Sequence, residues 1–425
     1  MSHSIQDFRG RWLDRQGLWA LLITACFAFT SQGALAADKD KPKANEISRV
    51  IAKEMTAAQK ALQASQWAEA IKNLEAAETK PGLNPFDKKT IYDFKGFAYV
   101  KLNNLKAAEQ AYEAALATGA YSPEDAAKTT RMLFRLNAGN QQLAKAAEYG
   151  KQVAESGAAT ADDLAILSQI YYLQKDCKSS AQWADKAVAA ARKAGETPKE
   201  NLYQFKLQCA SDAGDTAGMA ATSMDLIRLT NKSNYWNTLL RIERQDERDD
   251  HNTLMLYRVM YDTGSMTAGT DYIEMAQLLG DSALPAEAET VLEKAMGTGL
   301  INDQQKERTT RLLNSFKSRA EADKKGLPQL DAEAKKNPAG ELDVKLGEVY
   351  YGVGDYQNAV TAINRGLQKN QIKHLDEAYV YLGRSQVALK NTADAKKAFA
   401  GLKQVPNISP RVLKLWELYA DTLGR

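Results

Sequence analysis

The sequence predicts an all-α protein, a right-handed α-solenoid of about ten helix-turn-helix repeats closed by a C-terminal capping helix. Alanine is abundant and proline occurs only 10 times in 425 residues, and alanine has the highest helix propensity while proline has the lowest. No segment alternates polar and apolar residues over the length of a strand. A pattern of small and large residues recurs about every 36 residues, a spacing that a single helical bundle would not keep.

The best-preserved repeats lie near the C-terminus, at 346–359 (LGEVYYGVGDYQNA) and 382–395 (LGRSQVALKNTADA). In the first copy Leu346 and Gly347 open one helix, and Ala359 lies on the next helix, after a glycine-containing turn. Small residues let two helices cross closely, whereas large ones fill the space between neighbouring repeats. We therefore expect this motif to form core rather than a site.

The same small residue can be placed in seven copies along the chain. Adjacent copies are 34 to 38 residues apart, and the two wider gaps, 108 and 71 residues, are close to three and two steps of 36. This pattern resembles that of tetratricopeptide-repeat (TPR) proteins, whose helix pairs repeat at roughly 34 residues. The resemblance implies about ten TPR-like units in phase. The small residues are Ala70, Ala108, Ala146, Ser180, Ala288, Ala359 and Ala395.

The quality of the repeats divides the folded part of the chain into three stretches. They are N-terminal TPR-like repeats over 47–199, degenerate repeats over 200–340, and C-terminal repeats with the capping helix over 341–425.

Two boundaries follow from proline and from apolar spacing. One degenerate helix pair, over 304–336, is expected to break at 326–328 (Gly-Leu-Pro), because proline disrupts the interior of a helix. After Ser409 and Pro410 a one-sided apolar pattern predicts the capping helix. Its predicted buried face consists of Val412, Leu415, Trp416 and Tyr419.

The first 36 residues have the layout of a cleavable secretory signal. Arginines are followed by an uncharged run of 13 residues and by a small-x-small pattern that ends at Ala36. We expect cleavage between Ala36 and Ala37, and then a flexible charged leader over 37–46.

Two alternatives to cleavage stay open. An uncleaved anchor is one, although the apolar run is shorter than the roughly 20 residues of a membrane-spanning helix. Lipidation of Cys26, which follows Ile-Thr-Ala as in a lipobox, is the other. Export would place the mature protein in the periplasm of a Gram-negative bacterium, with membrane contact only through partners unless Cys26 is lipidated.

Charge and cysteine content limit the partners and the chemistry. The net charge is +3 with both signs interspersed, so the sequence lacks the basic stripe that nucleic-acid binding requires. Beyond the signal, Cys177 and Cys209 form an even pair, which is a disulfide candidate in an oxidising compartment. Two buried free thiols are the alternative.

Residues for catalysis are scarce. The sequence contains no nucleophile elbow, zinc-protease motif, phosphate-binding glycine loop or haem-attachment motif. His251 and His374 are far apart in the sequence and lie in turn-like regions, so we interpret both as surface residues. We predict no catalytic, cofactor or metal site, no small-molecule substrate and no enzyme activity.

The concave surface of a TPR array is the remaining place for function. Fixed positions of each first helix point into the groove of this fold, and tyrosine and arginine are enriched at binding hot spots. Tyr172 and Tyr351 adjoin the tyrosine of the TPR pattern, so packing is an equally good interpretation for them. The predicted groove residues are Phe97, Gln169, Tyr172, Gln208, Gln277, Glu348, Tyr351 and Arg384.

Three segments carry a closer likeness, NYWNTLLRI at 234–242, YDTGSMTAGTDYIEMAQLL at 261–279 and PAEAETVLEKAMGTGLI at 285–301. They resemble exported bacterial TPR proteins assigned to TonB-type energy-transduction systems. The resemblance implies a protein or peptide partner in the cell envelope and a role as a scaffold accessory to TonB-dependent uptake. A scaffold for outer-membrane, lipoprotein or polysaccharide assembly is the alternative.

Overall fold

The structure, a computed structural model, describes residues 46–424. These residues form twenty α-helices and no β-strand, so the all-α prediction is confirmed. The predicted signal, its cleavage point at Ala36 and Ala37, Cys26 and nearly all of the leader lie outside the described residues. No helix in 46–424 combines the length and apolar character needed to cross a membrane.

The chain forms two compact units, whose boundary lies between Phe205 and Lys206. Unit 1 contains four helical hairpins and the start of the helix that crosses the boundary. Its helices are α1 (Ala52–Gln63), α2 (Trp67–Glu78), α3 (Pro85–Lys101), α4 (Leu105–Ala117), α5 (Pro123–Gly139), α6 (Leu143–Glu155), α7 (Ala161–Leu173), α8 (Cys177–Lys193) and the first part of α9 (Glu200–Asp212).

Unit 2 contains the rest of the described helices and one short 3-10 turn. Four more complete hairpins are formed by α11 with α12, α13 with α14, α16 with α17, and α18 with α19. The helices are α10 (Thr216–Thr230), α11 (Ser233–Gln245), α12 (Asp250–Asp262), α13 (Gly269–Asp281), α14 (Pro285–Thr298), α15 (Asp303–Lys336), α16 (Glu341–Gly352), α17 (Tyr356–Lys369), α18 (Leu375–Ala388), α19 (Thr392–Ala400) and α20 (Pro410–Thr422), with the 3-10 turn at Gly401–Gln404.

The turns inside the hairpins share one backbone geometry. Eight of them are three residues long, and the middle residue always has a positive φ between 56° and 82°. Only two of these middle residues are glycine, so the repeated turn is set by the packing of the helices as well as by local preference. The middle residues are Ser65, Asn103, Gln141, Lys175, Gly214, Ala283, Gly354 and Lys390.

The predicted small residues are the points where helices cross. All seven are at most 1% exposed. A Cβ added at Gly347 would overlap the side chain of Ile363 and lie 3.2 Å from the carbonyl oxygen of Ala359. A Cβ at Gly383 would lie 2.5 Å from Phe399 Cε1. Since a real side chain does not fit there, the interpretation of this motif as core packing is confirmed.

The expected break at 326–328 is wrong, because α15 runs without interruption and contains Pro328. Its first half packs on the preceding hairpin, where Phe316 meets the backbone of Gly280. Its second half packs on α16, where Leu327 is buried in the same core cluster as Leu346. Burial along both halves stabilises the helix against the roughly 3 kcal/mol that an interior proline costs.

The last helices of unit 2 pack back on its first helices. The capping helix α20 contacts α10 and α12 as well as α19, and its predicted apolar face is buried. Tyr419 packs edge-on against Trp236 of α11 at 6.5 Å between ring centroids. The Arg411 side chain lies 3.1 Å from a carboxylate oxygen of Glu243. Side chains of α12 and α18 also meet inside unit 2, where Arg258 donates to the Tyr381 hydroxyl and Arg384 donates to Asp262.

Candidate functional site

Charged side chains from four helices meet in the interior of unit 2. We call this set the buried charge cluster. Each member has at least one charged or hydroxyl partner in the set or at its edge, as buried charges require. Its members are Arg258 and Asp262 of α12, Glu287 of α14, Glu348 of α16, and Glu377, Tyr381 and Arg384 of α18.

Arg384 is the centre of one half of the cluster and is only 3% exposed. Its Nε and Nη2 donate to the two carboxylate oxygens of Asp262 at 2.9 and 3.0 Å, and its Nη1 donates to Glu287 Oε1 at 2.5 Å. The guanidinium also lies over the Tyr351 ring at 4.7 Å. All three nitrogens of Arg384 donate inside the protein, so three of its five N–H donors are used internally.

Arg258 is the centre of the other half and is fully buried. Its Nη2 donates to the Tyr381 hydroxyl at 2.6 Å, and that hydroxyl donates to Glu287 Oε2 at 2.5 Å. Its Nη1 lies 3.6 Å from Glu377 Oε1. Burial acts to raise the pKa of Glu287, but Arg384 and Arg258 outweigh it, so this pKa lies below the usual range.

Glu348 and Glu377 share one cation at the edge of the cluster. Lys345 Nζ lies 2.9 Å from Glu348 Oε2 and 3.4 Å from Glu377 Oε2. Burial, and next the charge of Glu377, raise the pKa of Glu348 to about 8. Burial acts to raise the pKa of Glu377, but Arg258 and Lys345 outweigh it, so this pKa lies below the usual range and Glu348 is the carboxyl that holds a proton near neutral pH.

Above the Arg384 half, a cleft of about 440 Å³ opens between α14, α15, the turn after α16, and α18. Tyrosine rings line it, and Tyr351 lies 5.4 Å from Tyr356 and on the Arg384 guanidinium. Close packing of α16 on α14 shapes one end, since a Cβ on Gly352 would lie 2.9 Å from that of Ala286. We call this feature the unit-2 cleft.

The exposed wall of the unit-2 cleft is acidic. Glu289, Glu293 and Glu321 line it together with Lys324. Glu293 is paired with Lys317 at 2.7 Å, and Lys294 lies over the Tyr261 ring at 3.9 Å, so Glu289, Glu321 and Tyr356 are the lining groups open to a partner. Burial, and next the charge of Glu293, raise the pKa of Glu289. Tyrosine faces and carboxylates together favour a positively charged group of a partner, by cation–π contact and by charge.

Two histidines meet elsewhere in unit 2. His251 Nε2 lies 2.5 Å from Asp376 Oδ2, and the rings of His251 and His374 are 5.4 Å apart. We call His251, His374 and Asp376 the histidine cluster. The interpretation of these histidines as separate surface residues is therefore corrected: both are half-buried, and the packing of α12 against α18 brings them together.

The predicted groove residues are divided between the units. In unit 1, Phe97 is half-buried and packs edge-on against Trp67 at 5.7 Å. Tyr172 is stacked on Phe205 at 4.6 Å, and Gln169 is half-buried in the same helix. These contacts give the aromatic members a packing role within unit 1.

In unit 2, the structure brings Tyr351 and Arg384 together in the unit-2 cleft. Gln208 donates to Asp212 at 2.7 Å, and Gln277 is half-buried in α13; neither lines that cleft. The expectation that Glu348 faces an open groove is corrected, because it is 2% exposed and pairs with Lys345.

Several functional candidates have no clear signal in the sequence. Arg258, Asp262 and Glu287 look like ordinary surface charges until α18 covers them, and the acidic wall comes from α14 and α15. The one usable signal is that Arg258 and Glu287 stand at positions where an amphipathic helix should be apolar.

The two cysteines lie in different units. Cys177 is the first residue of α8, and Cys209 lies in α9 beyond the unit boundary. Their role as a staple between consecutive repeats stays a prediction.

No protein-family model matches the chain, and no curated protein matches it. Among solved structures, a tetratricopeptide repeat protein from Parabacteroides merdae is 11% identical over 87% of this chain and 99% of its own, with a TM-score of 0.33. The TPR2AB-domain:pHSP90 complex of yeast Sti1 is 14% identical over 63% of this chain and 98% of its own, with a TM-score of 0.35. The structure of Naa15/Naa10 bound to HypK-THB is 13% identical over 85% of this chain and 64% of its own, with a TM-score of 0.38. These identities and TM-scores are low, so none of the three assigns a function or a partner to this chain.

Proposed function

We propose that this protein is a non-enzymatic protein-interaction scaffold of the bacterial periplasm, accessory to TonB-dependent energy transduction or uptake. The unit-2 cleft is the observation that carries the proposal. It combines about 440 Å³ of space, tyrosine faces and an acidic wall on a rigid floor of buried ion pairs. The proposed occupant is a segment of a partner protein that inserts a lysine or arginine side chain.

The chemistry of the cleft supports binding rather than turnover. Arg384, the cation at its floor, already donates to Asp262 and Glu287. Tyr351 is fixed between Arg384 and Tyr381, at 5.2 Å from the latter ring. Such immobilised groups suit recognition because little side-chain entropy is lost when a partner binds. The TonB assignment and the periplasmic location rest on the sequence resemblance and on the signal-like N-terminus.

The partner can be identified by site-specific photocrosslinking in cells. A benzoyl-phenylalanine placed at Tyr356 or Lys324 lies in the cleft, whereas one at Arg311, on α15 but outside the lining, is the matched control. We expect partner adducts from the two cleft positions and not from the control. Recovery of TonB-complex subunits supports the proposed system. Recovery of outer-membrane or polysaccharide assembly factors instead would replace it with the alternative.

A charge reversal tests the cleft itself. Glu321→Lys adds a cation to the acidic wall and should reduce recovery of the partner about tenfold or more, since like charges at an interface cost well over 1 kcal/mol. Glu307→Lys makes the same change on the same helix at an 81% exposed side chain outside the cleft, and should change nothing. Equal loss in both variants would show that net charge, not the cleft, controls binding. Fractionation of the cells and the mass of the N-terminus test the location separately, with Ala37 as the expected start.

A further inference from the structure

We propose that the histidine cluster is a binding site for a late first-row divalent metal ion, with Zn²⁺ as the best fit. His251 is the second residue of α12, His374 immediately precedes α18, and Asp376 is the second residue of α18. One ligand atom from each residue lies within 4.8 Å of the others. Three metal-ligating side chains from two segments more than 120 residues apart thus converge at one point in unit 2.

The donor set selects the class of metal. Two imidazole nitrogens and one carboxylate oxygen match the ligands of three-residue zinc sites, which leave a fourth position for water or for a donor from a partner. Calcium and magnesium prefer oxygen ligands alone, so they do not suit this set. All three side chains are half-buried, so solvent can supply the fourth ligand.

The spacing is close to that of a metal site. Zinc–ligand distances of about 2.0–2.2 Å place ligand atoms of a tetrahedron roughly 3.3 Å apart. His251 Nε2 and Asp376 Oδ2 are 2.5 Å apart as a hydrogen-bonded pair. Entry of a metal therefore moves the Asp376 carboxylate away from His251 by about 1 Å and draws His374 inward, which are side-chain movements at the starts of two helices.

A second carboxylate orients the first histidine. If Nε2 of His251 binds the metal, its other nitrogen, Nδ1, faces Glu377 Oε1 at 3.8 Å. Metal-binding histidines usually direct their second ring nitrogen to such a carboxylate, which fixes the ring. Glu377 is itself held between Arg258 and Lys345. The cluster thus has a supporting shell as well as three ligands.

An ion pair of His251 with Asp376 could also explain this contact without a metal. That pair needs no second histidine, so His374 separates the two interpretations. A bound metal would join α12 to the start of α18, two elements that close unit 2, and should therefore stabilise unit 2 in proportion to its occupancy.

The test uses the whole mature chain, purified without a histidine tag and stripped with EDTA. Titration with ZnCl₂ by calorimetry should show one ion bound per chain and a higher melting temperature of the complex. His374→Gln removes a direct ligand and should weaken Zn²⁺ affinity by more than about 100-fold. Loss of a residue that only supports a ligand typically costs about 10- to 100-fold. Asp250→Asn removes an exposed carboxylate next to His251 and should leave affinity unchanged.

Two results would overturn the proposal: no Zn²⁺ binding up to millimolar concentration, or the same affinity in His374→Gln as in the wild type. Imidazole NMR signals give a measurement that does not depend on a variant's folding. The chain has three histidines, and only His251 and His374 lie beyond the predicted signal. Both should shift together as one equivalent of Zn²⁺ is added, and a shift of neither or of one alone would also refute the site.

Discussion

Replacement of Arg384 by alanine should destabilise unit 2 more than any single surface change. The substitution removes three charge-assisted hydrogen bonds, two to Asp262 and one to Glu287. Both carboxylates are close to fully buried, with side chains 12% and 5% exposed, so solvent does not replace the lost donors. The packing of the guanidinium on Tyr351 is lost as well.

The expected size follows from this burial. Removing one partner of a buried ion pair lowers the unfolding free energy by about 3–5 kcal/mol, because the remaining charge stays buried without a counter-ion. Arg258 partly compensates the charge of Glu287, since its Nη2 lies 4.0 Å from Glu287 Oε2. It does not replace the two hydrogen bonds that Asp262 loses. A second substitution, Asp262→Asn, should recover part of the loss, because it removes the carboxylate that Arg384→Ala leaves unpaired.

Urea unfolding of the full chain, followed by fluorescence of the buried Trp236 and Trp416, measures the effect. Arg311→Ala is the matched control, because its ion pair with Glu307 is on the surface and should contribute less than about 0.5 kcal/mol. A loss below about 1 kcal/mol for Arg384→Ala would refute the reasoning, since this is the range of an exposed pair.

Three further predictions concern packing, pH and redox state. In the same urea assay, Gly347→Val should lower the unfolding free energy by about 1–3 kcal/mol, because the side chain overpacks the core. Gly326→Ala adds a Cβ in open space and should instead raise the unfolding free energy by roughly 0.5–1 kcal/mol. Glu348 binds its proton more tightly when folded, so the wild type should lose stability as pH rises from about 5 through 8. Glu348→Gln should show a smaller fall in urea titrations across pH, and the remainder comes from His251, whose pKa the hydrogen bond to Asp376 raises. The mature chain, unfolded without reductant, should show no reactive thiol from Cys177 or Cys209, and two thiols would exclude the bond.

The fold could be predicted from the sequence because its determinants are local. The residues that cross inside a hairpin are separated by about one helix and one turn, so their spacing is visible directly. Gly347 and Ala359 illustrate this, since both were predicted as core and both are at a crossing. Pro328 shows the limit of local rules, because packing on two neighbouring hairpins keeps α15 continuous.

The candidate sites depend on contacts that no local pattern records. The hydrogen bond between His251 and Asp376 spans 125 residues, and that between Arg258 and Tyr381 spans 123. These pairs exist only because the last hairpins of unit 2 pack against its first ones. A sequence without aligned relatives gives the register of each helix, but not which helices from distant repeats will face each other.

This packing also changes what the inner face of unit 2 can recognise. An open groove with Arg384 exposed would suit an acidic or C-terminal carboxylate group of a partner. In the structure Arg384 directs its Nε, Nη1 and Nη2 to Asp262 and Glu287, so a carboxylate from a partner would have to displace a buried one. Because Arg384 and Lys294 already lie over the rings of Tyr351 and Tyr261, the accessible groups of the unit-2 cleft are instead Tyr356 and the glutamates of its wall. From the helix register alone, the inner face of unit 2 would favour an anionic ligand. Because Asp262 and Glu287 already accept hydrogen bonds from Arg384, it favours a cationic ligand instead.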